Sequence, residues 1–160
     1  MAFAMFTWGI AWTSAKIIND YLDYDNLVFL RFLVGFISML PFLFLEKKYS
    51  IRQIPIYTKI NIIVVGFLFY LYNQCFFIGT DIGYAGMGAV FVTTTNPIVT
   101  FVINSLIIKK INYNDLFAVM FGVIGGFIVL DIFSLGFSSL IIKENIYFVL
   151  CSLIWGAMTV

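Results

Sequence analysis

Seven side chains combine a capacity for hydrogen bonding or stacking with a position inside an apolar stretch: Trp8, Trp12, Tyr70, Asn73, Gln74, Thr93 and Asn96. Hydrocarbon offers no water to satisfy such groups, so they face one another, a cavity or a bound molecule. The chemistry they offer is recognition: amides and hydroxyls that donate and accept, rings that stack. Acid–base and nucleophilic chemistry are not on offer. The chain has no histidine, which removes His-based proton relays, His metal ligation and Ser–His attack. Without paired intramembrane carboxylates or a metal-binding cluster, no catalytic residue, metal or cofactor is expected. Cys75 and Cys151 fall inside apolar stretches and read as small buried hydrophobes.

Spacing groups these residues. Thr93, Asn96, Pro97, Thr100 and Asn104 recur at intervals that share one helical face. Pro97 cannot donate to the Thr93 carbonyl, so a helix break is expected there, with the hydroxyls of Thr93, Thr94 and Thr95 re-satisfying the backbone. That face suits either a kinked packing helix or a substrate-lining break near the midplane. Gly66, Tyr70, Asn73, Gln74 and Phe77 share a second face, with Tyr72 off it. It suits a hydrogen-bonding wall as well as interhelical glue. Trp8 and Trp12 stack one turn apart on the first stretch. A cavity lined by the seven residues is therefore expected between the first, third and fourth stretches. Two cations sit near span edges: Lys16, and Arg31 roughly 7.5 Å inside the second stretch. They read as headgroup anchors neutralised by Asp20, Asp23 and Asp25, or as an outer gate. Gly122, Gly125 and Gly126 read as a close-packing surface.

The elements that must carry these residues are membrane spans. Hydrophobic residues make up 62% of the chain and charged ones 11%, with a mean hydropathy of +1.05. Six apolar stretches cover Met1–Ile18, Asn26–Leu45, Ile60–Ile78, Ala85–Ile108, Leu116–Phe133 and Ile146–Val160. A helix crossing the hydrocarbon needs about 20 such residues. Membrane strands would alternate apolar and polar positions, whereas Phe121 to Phe133 is almost continuously apolar. The fold class is an all-α polytopic membrane protein.

Lys47, Lys48, Arg52, Lys59, Lys109 and Lys110 crowd the second and fourth connections, against Lys16 and Lys143 elsewhere. The positive-inside rule makes those connections cytoplasmic and puts the N-terminus inside a cytoplasmic (inner) membrane. The net charge of +1 gives no reason to expect nucleic acid. The first stretch lacks a basic lead and a small-residue cleavage site, so it reads as a retained helix. Abrupt apolar ends suggest a fragment of a larger chain. Trp8-Gly9 in the first stretch and Trp155-Gly156 in the sixth hint at an internal inverted repeat, a common construction of secondary transporters.

Several elements, taken in order, resemble the first EamA domain of the drug/metabolite transporter superfamily. They are Trp8-Gly9 with Lys16, Leu30-Arg31-Phe32, the Tyr70–Phe77 stretch, Asn96-Pro97 and the Gly122–Gly126 run. Ile108-Lys109-Lys110 stands where the family pattern places a Gly-Glu-Arg-like turn. The resemblance implies ten helices in two inverted five-helix repeats and transport, often export, of small metabolites through a central cavity by alternating access. The chain then divides into a first repeat over 1–133, an external loop over 134–145 and a truncated opening helix of the second repeat over 146–160. The partners expected are a small-molecule solute, the bilayer, a coupling proton or other ion, and a second repeat or a homodimer mate. A non-transporting membrane subunit or assembly factor is the alternative that glycine faces and apolar aromatics also suit.

Overall fold

The computed structural model describes residues 2–45, 54–109, 113–129 and 145–160. Lys47, Lys48, Arg52, Lys110, Asp131 and Lys143, with nearly all of the expected loop 134–145, lie outside the described residues. The described residues form helices and no strand: α1 (Ala2–Asn19), α2 (Tyr24–Leu45), α3 (Ile56–Ile82), α4 (Ala85–Ile108), α5 (Tyr113–Val129) and α6 (Ile146–Thr159). Three segments, Tyr24–Leu43, Ile56–Ile82 and Ala85–Ile108, are long and apolar enough to cross a membrane. Helices α5 and α6 are shorter apolar helices.

Helix α3 runs one turn beyond the apolar stretch Ile60–Ile78 at each end. Lys59 and Asp81 interrupt the hydropathy but not the backbone ladder, which closes at the Gly83 N–H on the Gly79 carbonyl, 2.9 Å. Helix α4 passes through Pro97 as one continuous helix, so the expected break is not present. Proline removes a single rung, and the turns on either side keep theirs. The hydroxyls of Thr93, Thr94 and Thr95 donate to carbonyls one turn back, at Ala89, Val90 and Phe91, over 2.6–2.8 Å. Helix α4 ends where Lys109 turns left-handed, φ 55°, and donates its N–H to the Ser105 carbonyl.

Helices α3 and α4 form the centre. Helix α1 packs on both, α2 on α3, α5 on α4, and α6 lies along α3 and α4 together. Trp12, Val28, Tyr72, Phe76, Phe148 and Cys151 fill the core. Small residues set the closest approaches. A Cβ at Gly88 would sit 2.4 Å from the Phe148 ring, one at Gly156 2.4 Å from Val99, and one at Gly126 1.9 Å from the Thr94 methyl. Glycine at these points is what lets the helix axes come together. Gly122 and Gly125, expected to pack in the same way, face open space. Of the three, Gly126 is the one that meets α4, against Thr94.

Candidate functional site

The N-terminal half of α1 and the C-terminal half of α6 diverge over the middle of α3 and α4 and leave a pocket of about 340 Å³. Trp8 enters from α1, Tyr72 from α3, Thr93 and Asn96 from α4, and Trp155 from α6, with Ala4, Met5 and Val92 completing the wall. Tyr72 and Trp155 stand with ring centroids 5.0 Å apart at 54°. Trp8 meets Trp12 edge to face at 5.9 Å. What remains is an aromatic slot with one amide and one hydroxyl at its side.

The seven residues singled out by sequence therefore divide three ways. Trp8, Thr93 and Asn96 line the pocket. Trp8 is 37% exposed, whereas Trp12, one turn on, is 2% exposed. Trp12 is clamped between Phe76, at 4.6 Å, and Phe148, at 6.0 Å, and belongs to the core. Asn73 is fully buried; its amide donates to the Phe69 carbonyl at 2.7 Å, and its Oδ1 has no hydrogen-bond partner among the described residues. Tyr70 and Gln74 turn away from the pocket toward α2. Gln74 Nε2 donates to Tyr70 Oη and to Asp25 Oδ1, both at 2.9 Å, so the expected hydrogen-bonding wall is here an α2–α3 tie.

Tyr72 and Trp155 were not anticipated as lining residues. Tyr72 lies off the amide face, and polarity marks that face rather than the one that carries Tyr72. On α3 polarity does not mark the pocket side, since Asp25 at the start of α2 binds the Gln74 amide and Asn73 is enclosed in the core. The signal that could have found Trp155 was its repeat match to Trp8: both tryptophans enter one pocket.

The edge cations have separate partners. Lys16 Nζ donates to the Asp81 carbonyl, bridging α1 to the end of α3. Asn19 on the next turn donates to the Phe77 carbonyl at 3.0 Å and to Thr80 Oγ1 at 3.1 Å. Together they tie α1 to α3 at that membrane face. The Arg31 guanidinium lies over the Phe76 and Phe77 rings, 5.2 Å and 5.9 Å from their centroids. Pro97 lies beside Asn96, Thr100 and Asn104 in a second, more polar groove against α5. No group of metal-ligating side chains occurs among the described residues.

A helical membrane bundle with a neutral, aromatic-lined central pocket has the build of a solute carrier. The profile of the EamA-like transporter family matches residues 1–131, and the chain belongs to that family. Its members are membrane transporters of the drug/metabolite type rather than enzymes. No curated protein and no solved structure matches the chain.

Proposed function

We propose that the pocket between α1, α3, α4 and α6 binds the transported solute, and that the protein is a secondary transporter of small organic metabolites working by alternating access. The observation that carries this reading is the convergence of Trp8, Tyr72 and Trp155 around Thr93 and Asn96. The rings supply faces for stacking, and the amide supplies a donor and an acceptor with fixed direction. Among the described residues no charged side chain lines this pocket. A solute that presents a planar or apolar body and one neutral polar edge fits best, which includes neutral aromatic metabolites and purine bases.

Helix α6 is proposed to open a second, inverted five-helix unit. Trp155 and Trp8 play matching parts in the pocket, while their following glycines differ: Gly156 receives Val99 of α4, and Gly9 has open space beside it. In an inverted repeat Gly9 would receive the corresponding helix of the second unit. The basic connections put the N-terminus on the cytoplasmic side of the cytoplasmic membrane, and solute movement is proposed to be outward, coupled to a proton or another ion.

The direct test is saturable, competable uptake of radiolabelled purine bases and neutral aromatic metabolites by inside-out vesicles carrying the protein. Trp8→Ala and Asn96→Ala should weaken apparent affinity by about tenfold, the loss of roughly one good contact, with little change in melting temperature. Loss of stability with unchanged affinity in both variants would sink the assignment. Cysteines introduced at Lys48 and Lys110 should resist impermeant labelling from outside intact cells, and one at Asp23 should react; the reverse pattern overturns the orientation.

A further inference from the structure

Away from the solute pocket, a groove of about 520 Å³ runs between α1 and α2, which both pack on α3 and splay apart from one another. Its walls include Ile18, Leu22, Leu27, Leu30 and Val34, and apart from Arg31 the polar side chain among them is Ser14. Arg31 sits in this apolar surrounding about two turns into α2. A guanidinium carries five N–H donors and no acceptor. The two aromatic rings beneath it satisfy its charge in part. Among the described residues no carboxylate or carbonyl accepts from it. The nearby carboxylate on its own helix, Asp25, is held by Gln74 instead. Arg31 is exposed on the bundle surface, and an arginine there with unfilled donors is costly in a bilayer unless water or an anion reaches it.

We propose that this groove is a phospholipid site, with the lipid phosphate on Arg31 and an acyl chain along the α1–α2 wall. Charge complementarity selects the phosphate, because the planar guanidinium fork matches two phosphate oxygens at once. The apolar walls select a lipid over a free anion. Inorganic phosphate would fill the donors and leave Ile18, Leu22, Leu30 and Val34 unmatched, whereas a phospholipid answers both. Direction agrees as well. Helical side chains lean toward the helix N-terminus, which for α2 is the turn joining it to α1, so Arg31 reaches toward the headgroups of that leaflet. The tie of Lys16 and Asn19 to α3 holds α1 in place on the far side of the groove. The bound lipid would thus act as a wedge between the first two helices. This inference needs only the membrane setting and does not depend on the solute pocket.

The test uses the purified full chain in detergent, with retained adducts read by native mass spectrometry. Three probes separate the contributions: dioleoyl-phosphatidylglycerol, dioleoylglycerol and glycerol phosphate. The phospholipid should be retained, dioleoylglycerol at about tenfold lower occupancy for want of a charge-assisted hydrogen bond, and glycerol phosphate not at all. Arg31→Gln should lower phospholipid retention by about tenfold, and Arg31→Lys should restore part of it. Val34→Trp fills the groove while leaving Arg31 intact; Val34 is 64% exposed, so the fold tolerates it, and retention should fall again. Equal retention of dioleoylglycerol, retention of glycerol phosphate, undiminished binding in Arg31→Gln and Val34→Trp, or no phospholipid adduct at all would each overturn the site.

Discussion

Helix α6 meets the same two helices at both ends, and the two ends are built in opposite ways. Near its start, Gly79 and Gly88 clear the wall of α3 and α4, and Phe148 fills the space so completely that it has no exposure. About two turns further on, the wall carries Tyr72, Thr93 and Asn96 in place of glycine, and Trp155 stands off it. Thr95 Oγ1 and Ser152 Oγ, 2.5 Å apart, mark the boundary between the two. Glycine facing an aromatic ring gives a seal; rings facing rings and an amide give a slot. On the function proposed, stability belongs to one end and solute recognition to the other. The contrast also gives each variant a separable signature.

The largest effect on stability is expected from breaking the seal. Phe148→Ala should cost about 3 kcal/mol or more, because a buried phenyl ring is lost and the surrounding backbone cannot collapse into its place. The denaturation midpoint measures this, and the solute affinity of the surviving protein should stay near that of the parent. Gly88→Val attacks the same contact from the other side and should cost about 1–3 kcal/mol by overpacking. Combined with Phe148→Ala it should cost much less than the sum, since the added methyls enter the vacated space. Additive losses would mean that the two residues do not share one contact.

Asn73 sharpens the division, because polarity alone would place it in the slot. It is sealed in the core with one unpaired oxygen. Asn73→Ala should therefore destabilise by about 1–2 kcal/mol through a cavity and a lost hydrogen bond. Asn73→Leu should cost less, as it fills the volume and removes the unpaired acceptor. Solute affinity should be unmoved in both; a tenfold weakening would return Asn73 to the recognition site. Trp8→Ala is expected to have the smallest effect on stability, below about 1 kcal/mol for a side chain left partly open.

The helical membrane fold was legible in the sequence because hydrophobic length and charge placement are properties of single segments. The family was legible because its markers stand in order along the chain. The lining of the pocket was only partly legible. Mid-span polarity and helical spacing pick out Trp8, Thr93 and Asn96, which line it, but equally Gln74, which bonds Asp25 of α2, and Tyr70, which bonds Gln74. Which of several polar faces turns inward depends on partners far away in sequence, and periodicity within one helix carries no information on them. The seal was missed for a related reason. Gly79, Gly88 and Phe148 come from three different segments, and each is unremarked in its own; only their meeting makes a contact.

The central claim is that the slot holds water and solute while the seal does not, and thiol labelling tests it without knowing the solute. In a Cys75→Ala background, Asn96→Cys and Thr93→Cys should react with a water-soluble maleimide in inside-out vesicles. The native Cys151, fully buried beneath Tyr72, should stay unlabelled. Ile128→Cys, on the exposed side of α5, should react with a membrane-soluble maleimide and not with the water-soluble one. An Asn96→Cys thiol that behaves like Ile128→Cys, or like Cys151, would contradict the account.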